Sequence, residues 1–567
     1  MKSWMHLAVA GVGAILLAVF ATTTPSPAPA DAPATDFSAG RAMADVREIA
    51  KAPHPTGTPE NARVRDYLIK RLRSLGMTVT TTTAPISAKA KERLDKWRGS
   101  PADAQAVNLL ATLPGLDSTK PAVLLMAHHD SVWGSPGAAD DTAGVAAILE
   151  TVRAFLAGGQ KPERDLMVLL TDGEELGLEG AEQFFATNPA KDRVGVIVNL
   201  ETRGGGGRAS MFETGDQNGA MIDLFGGAVR HPVATSLSAF VYKKLPNSTD
   251  YTVAQKLGVP GFNFAFIGRP GLYHSPLATP DALDQGSLQD MGRQTLDLTR
   301  ALLAAPELPG KTPDRVFYDL FGMVFLAYSA WVGWLILIVA AGAYAYAGLG
   351  VTTLRGFGRG AGIWLALLVI AGLLLYISNF ASIANGPTNY YDRLAAIPRL
   401  EAQAALLCVA AAALVAGLLL GRRPASQVLA GAVTPFLLLA AVAQAMAPTA
   451  AFPLQIPLLL GGVGAAAMRW RADGAGRWVA TGAAAIGMGY MLTLGHALFQ
   501  AVGPGMPFVM IVPLGLSTVM LLPLMPEIAR SRAMRTAGAL VVLGLAIALW
   551  VRFDAVAPSV AVYTSDH

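Results

Sequence analysis

The sequence is short of two things that a soluble enzyme of its size normally has, charge and cysteine. Only 15% of its 567 residues are charged, whereas 53% are hydrophobic. Globular domains average about 25% charged residues, so part of this chain must lie in lipid. The single cysteine, Cys408, excludes an intrachain disulfide and a zinc site built from thiolates. Any metal must therefore be held by histidine and carboxylate side chains.

Positive charge is also too sparse for a nucleic-acid-binding surface. The formal net charge is +4, and the arginines beyond residue 350 fall in short clusters between apolar runs rather than along one face. We therefore expect a lipid membrane, and no nucleic acid, as a partner.

The N-terminus has the pattern of an export signal. Lys2 precedes an apolar stretch from Leu7 to Phe20, and a proline- and alanine-rich segment follows from Thr24 to Ala34. This pattern fits a signal peptide with a cleavage site near Ala28-Pro29-Ala30, and equally an uncleaved anchor. In both cases residues 1–36 form an export segment and linker, and the chain that follows is translocated.

Residues 37–310 have the composition of a globular domain. Helical patterns, such as Thr142–Phe155 and Leu288–Leu303, alternate with apolar runs of strand character. The strands are predicted at Ala122–Ala127, Leu166–Thr171, Val194–Leu200 and Gly261–Phe266. The alternation predicts an α/β fold with a mainly parallel central sheet flanked by helices, and with its site at the carboxyl ends of the strands.

Residues 311–567 are predicted to form an all-α transmembrane domain of about eight helices. Apolar runs of spanning length lie near 324–348, 361–383, 402–420, 428–447, 452–468, 478–500, 507–525 and 536–551. Arginine clusters occupy every second connection between the runs, at 355–359, 422–423, 469–477 and 530–535. The positive-inside rule makes these connections cytoplasmic and puts residues 37–310 on the opposite side. We expect an integral protein of a bacterial inner membrane, with its globular domain on the periplasmic or extracellular side.

Acidic and histidine residues follow the predicted strands directly. They occur in five stretches: His128-His129-Asp130, Asp140-Asp141, Asp172-Gly173-Glu174-Glu175, Glu201 and Tyr273-His274. Imidazole and carboxylate are the ligands that suit zinc when thiolate is absent, and a hydrolytic metal site needs an open position for water. The pattern predicts a metal-dependent hydrolase.

These motifs resemble those of the M28 metallopeptidases. The shared features are His-x-Asp at 128–130, Asp-Asp at 140–141 and Gly-Glu-Glu-Leu-Gly at 173–177, in that order. Pro53-His54-Pro55-Thr56-Gly57 is similar to the N-terminal signature of the membrane-bound branch, which includes the endoplasmic reticulum metallopeptidase and the fungal vacuolar membrane protease. That branch also joins an exported peptidase domain to a multi-helix membrane region, so the resemblance covers the whole chain.

The resemblance implies a set of metal ligands. Two zinc ions (Zn2+) would be bridged by Asp140, with His128 and Glu201 completing one site and Glu175 and His274 the other. Many secreted members have aspartate at the position of Glu201, whereas the membrane-bound branch resembles this chain in using glutamate.

It also implies catalytic roles. Glu174 would be the general base, Asp130 would orient His128, and Tyr273 would donate a hydrogen bond to the oxyanion of the tetrahedral intermediate. The family further implies a cis peptide bond at Asp140-Asp141.

Several neighbouring residues have plainer explanations. His129 points away from the site by strand alternation and is expected to be structural, and Asp141 is expected to cap the following helix. His54 and His231, beside prolines, are expected at the surface. Asp250 is equally suited to capping a helix and to shaping a substrate pocket. Asp172 lies close to the site in sequence, without a predicted role.

Taken together, the sequence predicts a membrane-anchored zinc-dependent exopeptidase, best described as an aminopeptidase acting on peptides with metal-activated water and a glutamate base. One alternative is a catalytically inactive, peptidase-like module for binding or assembly; the presence of every candidate ligand and of Glu174 speaks against it. Another is a glutaminyl cyclase-type acyl transferase, a reaction that related folds carry out with a single zinc.

Overall fold

A computed structural model describes residues 3–383, 393–420, 425–471, 474–526 and 528–553. It divides the chain into two compact units. The globular unit contains residues 23–327 together with residues 393–395, and the membrane unit contains residues 3–22 and the described helices that follow residue 328. The globular unit thus extends on both sides of the predicted limits at residues 37 and 310.

The globular unit is built on a seven-stranded sheet. Its strands are β1 Thr78–Pro85, β2 Gln105–Leu113, β3 Ala122–His128, β4 Leu166–Thr171, β5 Val194–Thr202, β6 Ser210–Thr214 and β7 Gly261–Phe266. They lie in the order β1-β2-β4-β3-β5-β7-β6. The four strands predicted from the sequence are the central ones, β4, β3, β5 and β7, and they run parallel, whereas β1, β2 and β6 make antiparallel pairs.

Helices cover both faces of this sheet. They are α2 Ala39–Ile49, α3 Pro59–Ser74, α4 Ala88–Arg98, α5 Thr142–Ala157, α6 Glu179–Thr187, α7 Gly219–Ala228, α8 Ser236–Tyr242, α9 Asp250–Lys256 and α10 Gln285–Ala304. Alternate residues of β3 enter different cores: Val123 and Leu125 pack with α2, α5 and α10, while Leu124 and Met126 pack with α6 and α9. Burial on both faces explains why the parallel strands appear in the sequence as continuous apolar runs. The α/β fold class is confirmed.

The proline- and alanine-rich segment after residue 23 belongs to this unit. The amide of Ala28 donates to the Gln289 side chain at 3.0 Å, and the Ser38 hydroxyl donates to the Pro29 carbonyl at 2.7 Å. The residues that resemble a cleavage site are therefore packed against α2 and α10.

A hairpin precedes the membrane helices, where the sequence predicts the start of a span. Residues of the expected run 324–348 divide into strand β9, Val324–Ser329, which pairs with β8, Arg315–Leu320, and helix α11, Val332–Gly348. The span prediction was wrong over its first six residues because Phe325 packs against Phe225 and Phe317, a tertiary contact that favours the strand.

The membrane unit consists of apolar helices. These are α1 Ser3–Thr22, α11 Val332–Gly348, α12 Leu354–Ala381, α13 Ile397–Val415, α14 Ser426–Met446, α15 Phe452–Trp470, α16 Gly474–Val502, α17 Ile511–Leu521 and α18 Arg530–Phe553. Among the described residues, eight segments are long and apolar enough to cross a membrane. One of them is the N-terminal helix, and seven follow α11, which has 17 residues. Membrane-spanning helices are thus confirmed, with α11 shorter than expected.

Candidate metal centre

The candidate residues meet at the carboxyl ends of the parallel strands. β3 ends at His128, and Glu201 lies near the end of its neighbour β5. Glu175 lies in the loop after β4, and His274 lies in the loop after β7. Asp140 comes from the loop between β3 and α5. Parallel strands direct their carboxyl ends to one edge of the sheet, and this is why residues so far apart in sequence converge here.

Asp140 lies between the two histidines. Its Oδ1 atom is 3.2 Å from Nε2 of His128, and its Oδ2 atom is 3.4 Å from Nε2 of His274. Nε2 of His274 is also 3.2 Å from Oε2 of Glu175, and Nε2 of His128 is 3.8 Å from Oε2 of Glu201. Each oxygen of one carboxylate therefore faces a separate pair of side chains. The Asp140-Asp141 peptide bond is cis, as expected.

The donor set fits zinc. Ligand atoms of His128, Asp140 and Glu175 lie within 4.8 Å of one another, as do those of His128, Asp141 and Glu201. Tetrahedral zinc with bonds near 2.0 Å separates its ligand atoms by about 3.3 Å, close to the spacings observed. Oε1 of Glu175 is buried and has no hydrogen-bond partner in the described structure.

Asp141 has two possible roles in this arrangement. Its Oδ1 accepts the amide of Gly144 at 3.1 Å and caps α5, as predicted, whereas its Oδ2 is buried and has no hydrogen-bond partner among the described residues. The cap thus accounts for one oxygen, and the other remains close enough to the cluster to coordinate a metal.

Charge is crowded in the cluster. Removal from water raises the pKa of the Glu201 and Glu174 carboxyls well above their ordinary values. Neighbouring negative charge adds to both shifts, since Glu174 raises the pKa of Glu201 and Glu175 raises the pKa of Glu174. Burial also acts on Asp140, but hydrogen bonds from His128 and His274 outweigh it and lower the pKa of Asp140 to about 2. Burial disfavours the charged form of His274, yet Glu175 and Asp140 raise its pKa to about 9. Cations placed among these acids would offset their mutual repulsion.

Asp130 organises both sides of the centre. Its carboxylate accepts the backbone amides of Glu174 at 3.2 Å and Glu175 at 3.3 Å. Nδ1 of His128 is 3.0 Å from the Asp130 backbone carbonyl and 3.4 Å from its carboxylate. A carbonyl can only accept, so Nδ1 carries the proton and Nε2 is left to face Asp140.

Tyr273 lies directly on a candidate ligand. Its ring stacks on that of His274 with centroids 3.8 Å apart, and the guanidinium carbon of Arg203 is 5.9 Å from the Tyr273 ring centroid. The stacking restricts the orientation of both rings.

The structure agrees with the plainer explanations for His129 and His231 and contradicts the one for His54. His129 is structural, as expected: its Nε2 is 3.0 Å from the Val107 carbonyl on β2. His231 is exposed, as expected. His54 is only 1% exposed, so its surface placement was wrong. The reason is that the loop carrying it folds under the site, where the His54 amide donates to the Ser131 hydroxyl at 3.0 Å.

Two carboxylates near the site gain partners that the sequence did not indicate. Thr249, rather than Asp250, is the N-cap of α9. The Asp250 carboxylate instead accepts a hydrogen bond from the Thr171 hydroxyl, and burial raises its pKa to about 6. Asp172 is completely buried, and its carboxylate accepts a hydrogen bond from the Thr56 hydroxyl. Thr56 lies in the Pro53–Gly57 signature, the one sequence feature that could have directed attention to these residues.

The comparison with known proteins agrees with this geometry. Residues 108–299 match Peptidase family M28. They form an M28 peptidase domain. The M28 domain carries every candidate ligand and Glu174, and the chain that contains it is an integral membrane protein.

Curated proteins that resemble this chain include a metallopeptidase and a membrane protease. "Endoplasmic reticulum metallopeptidase 1" of Rattus norvegicus is 30% identical over 233 residues, which are 40% of this chain and 26% of the relative. "Vacuolar membrane protease" of Yarrowia lipolytica is 30% identical over 300 residues, which are 50% of this chain and 30% of the relative. The chain therefore spans less than a third of the length of these relatives.

Solved structures that resemble about half of this chain include an aminopeptidase and a glutaminyl cyclase. An aminopeptidase from Aneurinibacillus sp. strain AM-1 has 16% sequence identity and a TM-score of 0.39, with 50% of this chain and 99% of that chain covered. A glutaminyl cyclase from Porphyromonas gingivalis has 21% identity and a TM-score of 0.37, with 47% and 98% covered.

Proposed function

We propose that this protein is a zinc-dependent exopeptidase, acting as an aminopeptidase on peptide substrates. The observation that carries the proposal is the position of Asp140, whose two oxygens face His128 on one side and His274 on the other. His128 and Glu201 would hold one zinc, Glu175 and His274 a second, and Asp140 both. Bound there, zinc would polarise a water molecule and the substrate carbonyl.

Glu174 is assigned the proton transfer. It is next to Glu175 in sequence, but among the described residues it forms no ion pair with a histidine like that of Glu175 with His274, so its carboxylate stays available as a base. In the proposed reaction it takes a proton from the attacking water and returns it to the nitrogen of the leaving amine, so that one proton moves and the peptide bond is hydrolysed. Tyr273, fixed against His274, donates a hydrogen bond to the developing oxyanion.

The surplus of acid favours substrates with a free amino terminus. Beyond the five candidate ligands, the carboxylates of Glu174, Asp141 and Asp250 lie close enough to act electrostatically on the site. An ammonium group is attracted to such a surface, whereas a terminal carboxylate is repelled.

Two alternatives predict different results. A single-zinc glutaminyl cyclase would need only part of the ligand set, so the remaining candidate ligands would have no role in it. A binding module would have no reason to retain Glu174 beside a complete set of ligands. Both arguments favour hydrolysis.

Hydrolysis of aminoacyl p-nitroanilides by the full-length protein in detergent tests the proposal. We expect activity that a chelator removes and zinc restores, and that Glu174→Gln lowers by about 10²- to 10⁴-fold while bound metal, measured by mass spectrometry, is unchanged. Glu182→Gln, an exposed glutamate on α6, is the matched control. An inactive wild-type protein with its full metal content would contradict the proposal. Peptides with N-terminal glutamine separate the reactions, since cyclisation releases ammonia and pyroglutamyl peptide, whereas hydrolysis releases glutamine.

We also propose that the M28 domain lies on the periplasmic or extracellular side of a bacterial inner membrane. The arginine clusters between the apolar runs support this orientation. The only native cysteine, Cys408, is buried, so single cysteines can be placed at the exposed positions Ser100 and Gly358. In intact spheroplasts, a membrane-impermeant maleimide should label Ser100→Cys and leave Gly358→Cys unlabelled. The reverse pattern would contradict the orientation.

A further inference from the structure

The short segment between β4 and Glu174 is held more firmly than a surface loop. Asp172, the first residue after β4, is 0% exposed. Its carboxylate accepts three hydrogen bonds, from the Thr56 hydroxyl at 2.8 Å, the Val107 amide at 2.9 Å and the Asn61 side chain at 3.4 Å. The donors come from two parts of the fold, the stretch from Thr56 to Asn61 and strand β2, so Asp172 ties the loop to both.

The backbone of the same segment is fixed as well. The Asp172 amide donates to the Asn108 side chain at 3.1 Å. Gly173 has φ 78°, a conformation that glycine adopts without strain, and a Cβ added there would lie 3.1 Å from Cβ of Glu179 and 3.6 Å from Oγ1 of Thr56. These features restrict the backbone conformation of Asp172 and Gly173, and so the direction in which the main chain reaches Glu174.

Thr56 lies between two buried carboxylates. Its Oγ1 is 2.8 Å from Oδ1 of Asp172 and 3.5 Å from Oδ2 of Asp130. A hydroxyl has one proton to donate, and the shorter distance assigns it to Asp172. Asp130 is then free to accept the amides of Glu174 and Glu175. One end of the segment is thus held through Asp172 and the other through Asp130.

The loop that carries Thr56 is itself tied down. The His54 amide donates to the Ser131 hydroxyl at 3.0 Å, and the His54 carbonyl accepts the Asn61 side chain at 3.2 Å. The Pro53–Gly57 signature is therefore fixed to the loop of Ser131 and to the start of α3.

We propose that Asp172 and Thr56 are positioning residues, which hold Glu174 in the orientation needed to accept a proton and return it. The inference rests on the proposed function of Glu174. The side-chain hydrogen bonds described for the two residues join them to Asp130, Asn61 and Val107 and to each other, and not to a candidate ligand. Both act on Glu174 through the backbone, since they determine where its main chain lies relative to Asp130.

Steady-state kinetics of the full-length protein give the first test. Thr56→Val removes the hydroxyl at nearly constant volume, and Asp172→Asn replaces an acceptor oxygen with a donor that faces other donors. We expect each to lower kcat by about 10- to 100-fold with KM changed less than about twofold, and Thr56→Ser to restore kcat. Thr151→Val is the matched control, because Thr151 is equally buried, on α5, and its hydroxyl has no hydrogen-bond partner in the described structure. An unchanged kcat in Thr56→Val, a rise in KM alone, or an equal loss in Thr151→Val would overturn the inference.

Hydrogen exchange gives a second test that does not depend on activity. The amides of Glu174, Glu175, Gly177 and Leu178 are all hydrogen-bonded. In peptides covering residues 172–178, exchange should be about tenfold faster or more in Thr56→Val and Asp172→Asn, because a buried carboxylate loses a partner, and should match wild type in Thr56→Ser and Thr151→Val. Unchanged exchange would overturn the inference. A wild-type protein without peptidase activity would contradict the proposed function, and the exchange rates would still decide whether these residues hold the Glu174 segment.

Discussion

Replacing His54 with glutamine should make the globular unit less sensitive to acid. The His54 side chain is buried, and its Nδ1 is 3.0 Å from the Ala52 carbonyl, to which it donates a hydrogen bond. Burial lowers the pKa of this imidazole from 6.5 to about 4. In the folded protein His54 therefore stays neutral down to about pH 4, whereas in the unfolded chain it binds a proton below about pH 6.5. The unfolded state takes up more protons in this window, so stability falls as pH decreases from about 6.5 to about 4.

The size of the effect follows from the two pKa values. Between pH 7.5 and pH 5, a group with a pKa of about 4 in the folded state and 6.5 in the unfolded state costs about 2 kcal/mol of unfolding free energy. The nearby acids also contribute to the pH dependence of the wild-type protein. The change in unfolding free energy between pH 7.5 and pH 5 is therefore compared in wild type and in His54→Gln. The loss of stability on acidification should be about 2 kcal/mol larger in wild type.

Methionine oxidation in a guanidinium gradient can measure this in the intact membrane protein. Met126 is 0% exposed on β3, so its oxidation by peroxide reports opening of the M28 sheet and not of the membrane helices. His231→Gln is the matched control, because His231 is also followed by proline but is exposed. If His54→Gln lost as much stability on acidification as wild type, within about 0.5 kcal/mol, the argument from burial would be refuted.

Three further substitutions test other parts of the structure. Asp140→Asn should reduce the bound metal, measured by mass spectrometry after dialysis, because a neutral amide cannot satisfy two cations; full retention would contradict a bridging role. Tyr273→Phe should lower kcat by about 10²-fold with unchanged metal content, and an unaltered kcat would remove Tyr273 from the reaction. Gly180→Ala should destabilise the M28 domain by about 1–3 kcal/mol in the Met126 oxidation assay, because its Cβ would lie 2.3 Å from Oδ1 of Asn108. Gly227→Ala, with no atom within 4 Å of the added Cβ, is the control, and equal effects would contradict this account.

Local sequence was sufficient where a residue's environment follows from its neighbours along the chain. The central strands were predictable because a parallel strand is buried on both faces and so appears as an unbroken apolar run. The clustering of the candidate ligands was predictable because the loop after a parallel strand lies at the edge of the sheet where sites are found. The resemblance to the M28 family then assigned them in order.

Tertiary structure decided the features that depend on residues far apart in sequence. The run from 324 to 348 is uniformly apolar, and only the packing of Phe325 against Phe225 and Phe317 makes its first part a strand. His54 stands in a polar, proline-rich loop that looks like surface, and its burial depends on the loop of Ser131, 77 residues away.

Asp172 and Thr56, 116 residues apart, provide the clearest case. Each sits in a motif that the sequence already displayed, and nothing in either motif indicates the other. Periodicity and composition report the local environment of a segment, whereas a hydrogen bond between distant loops exists only once the sheet has brought them together. The sequence alone thus determined the fold class and the motifs that resemble the M28 family, and the tertiary structure determined which distant side chains are hydrogen-bonded to the segment that leads to Glu174.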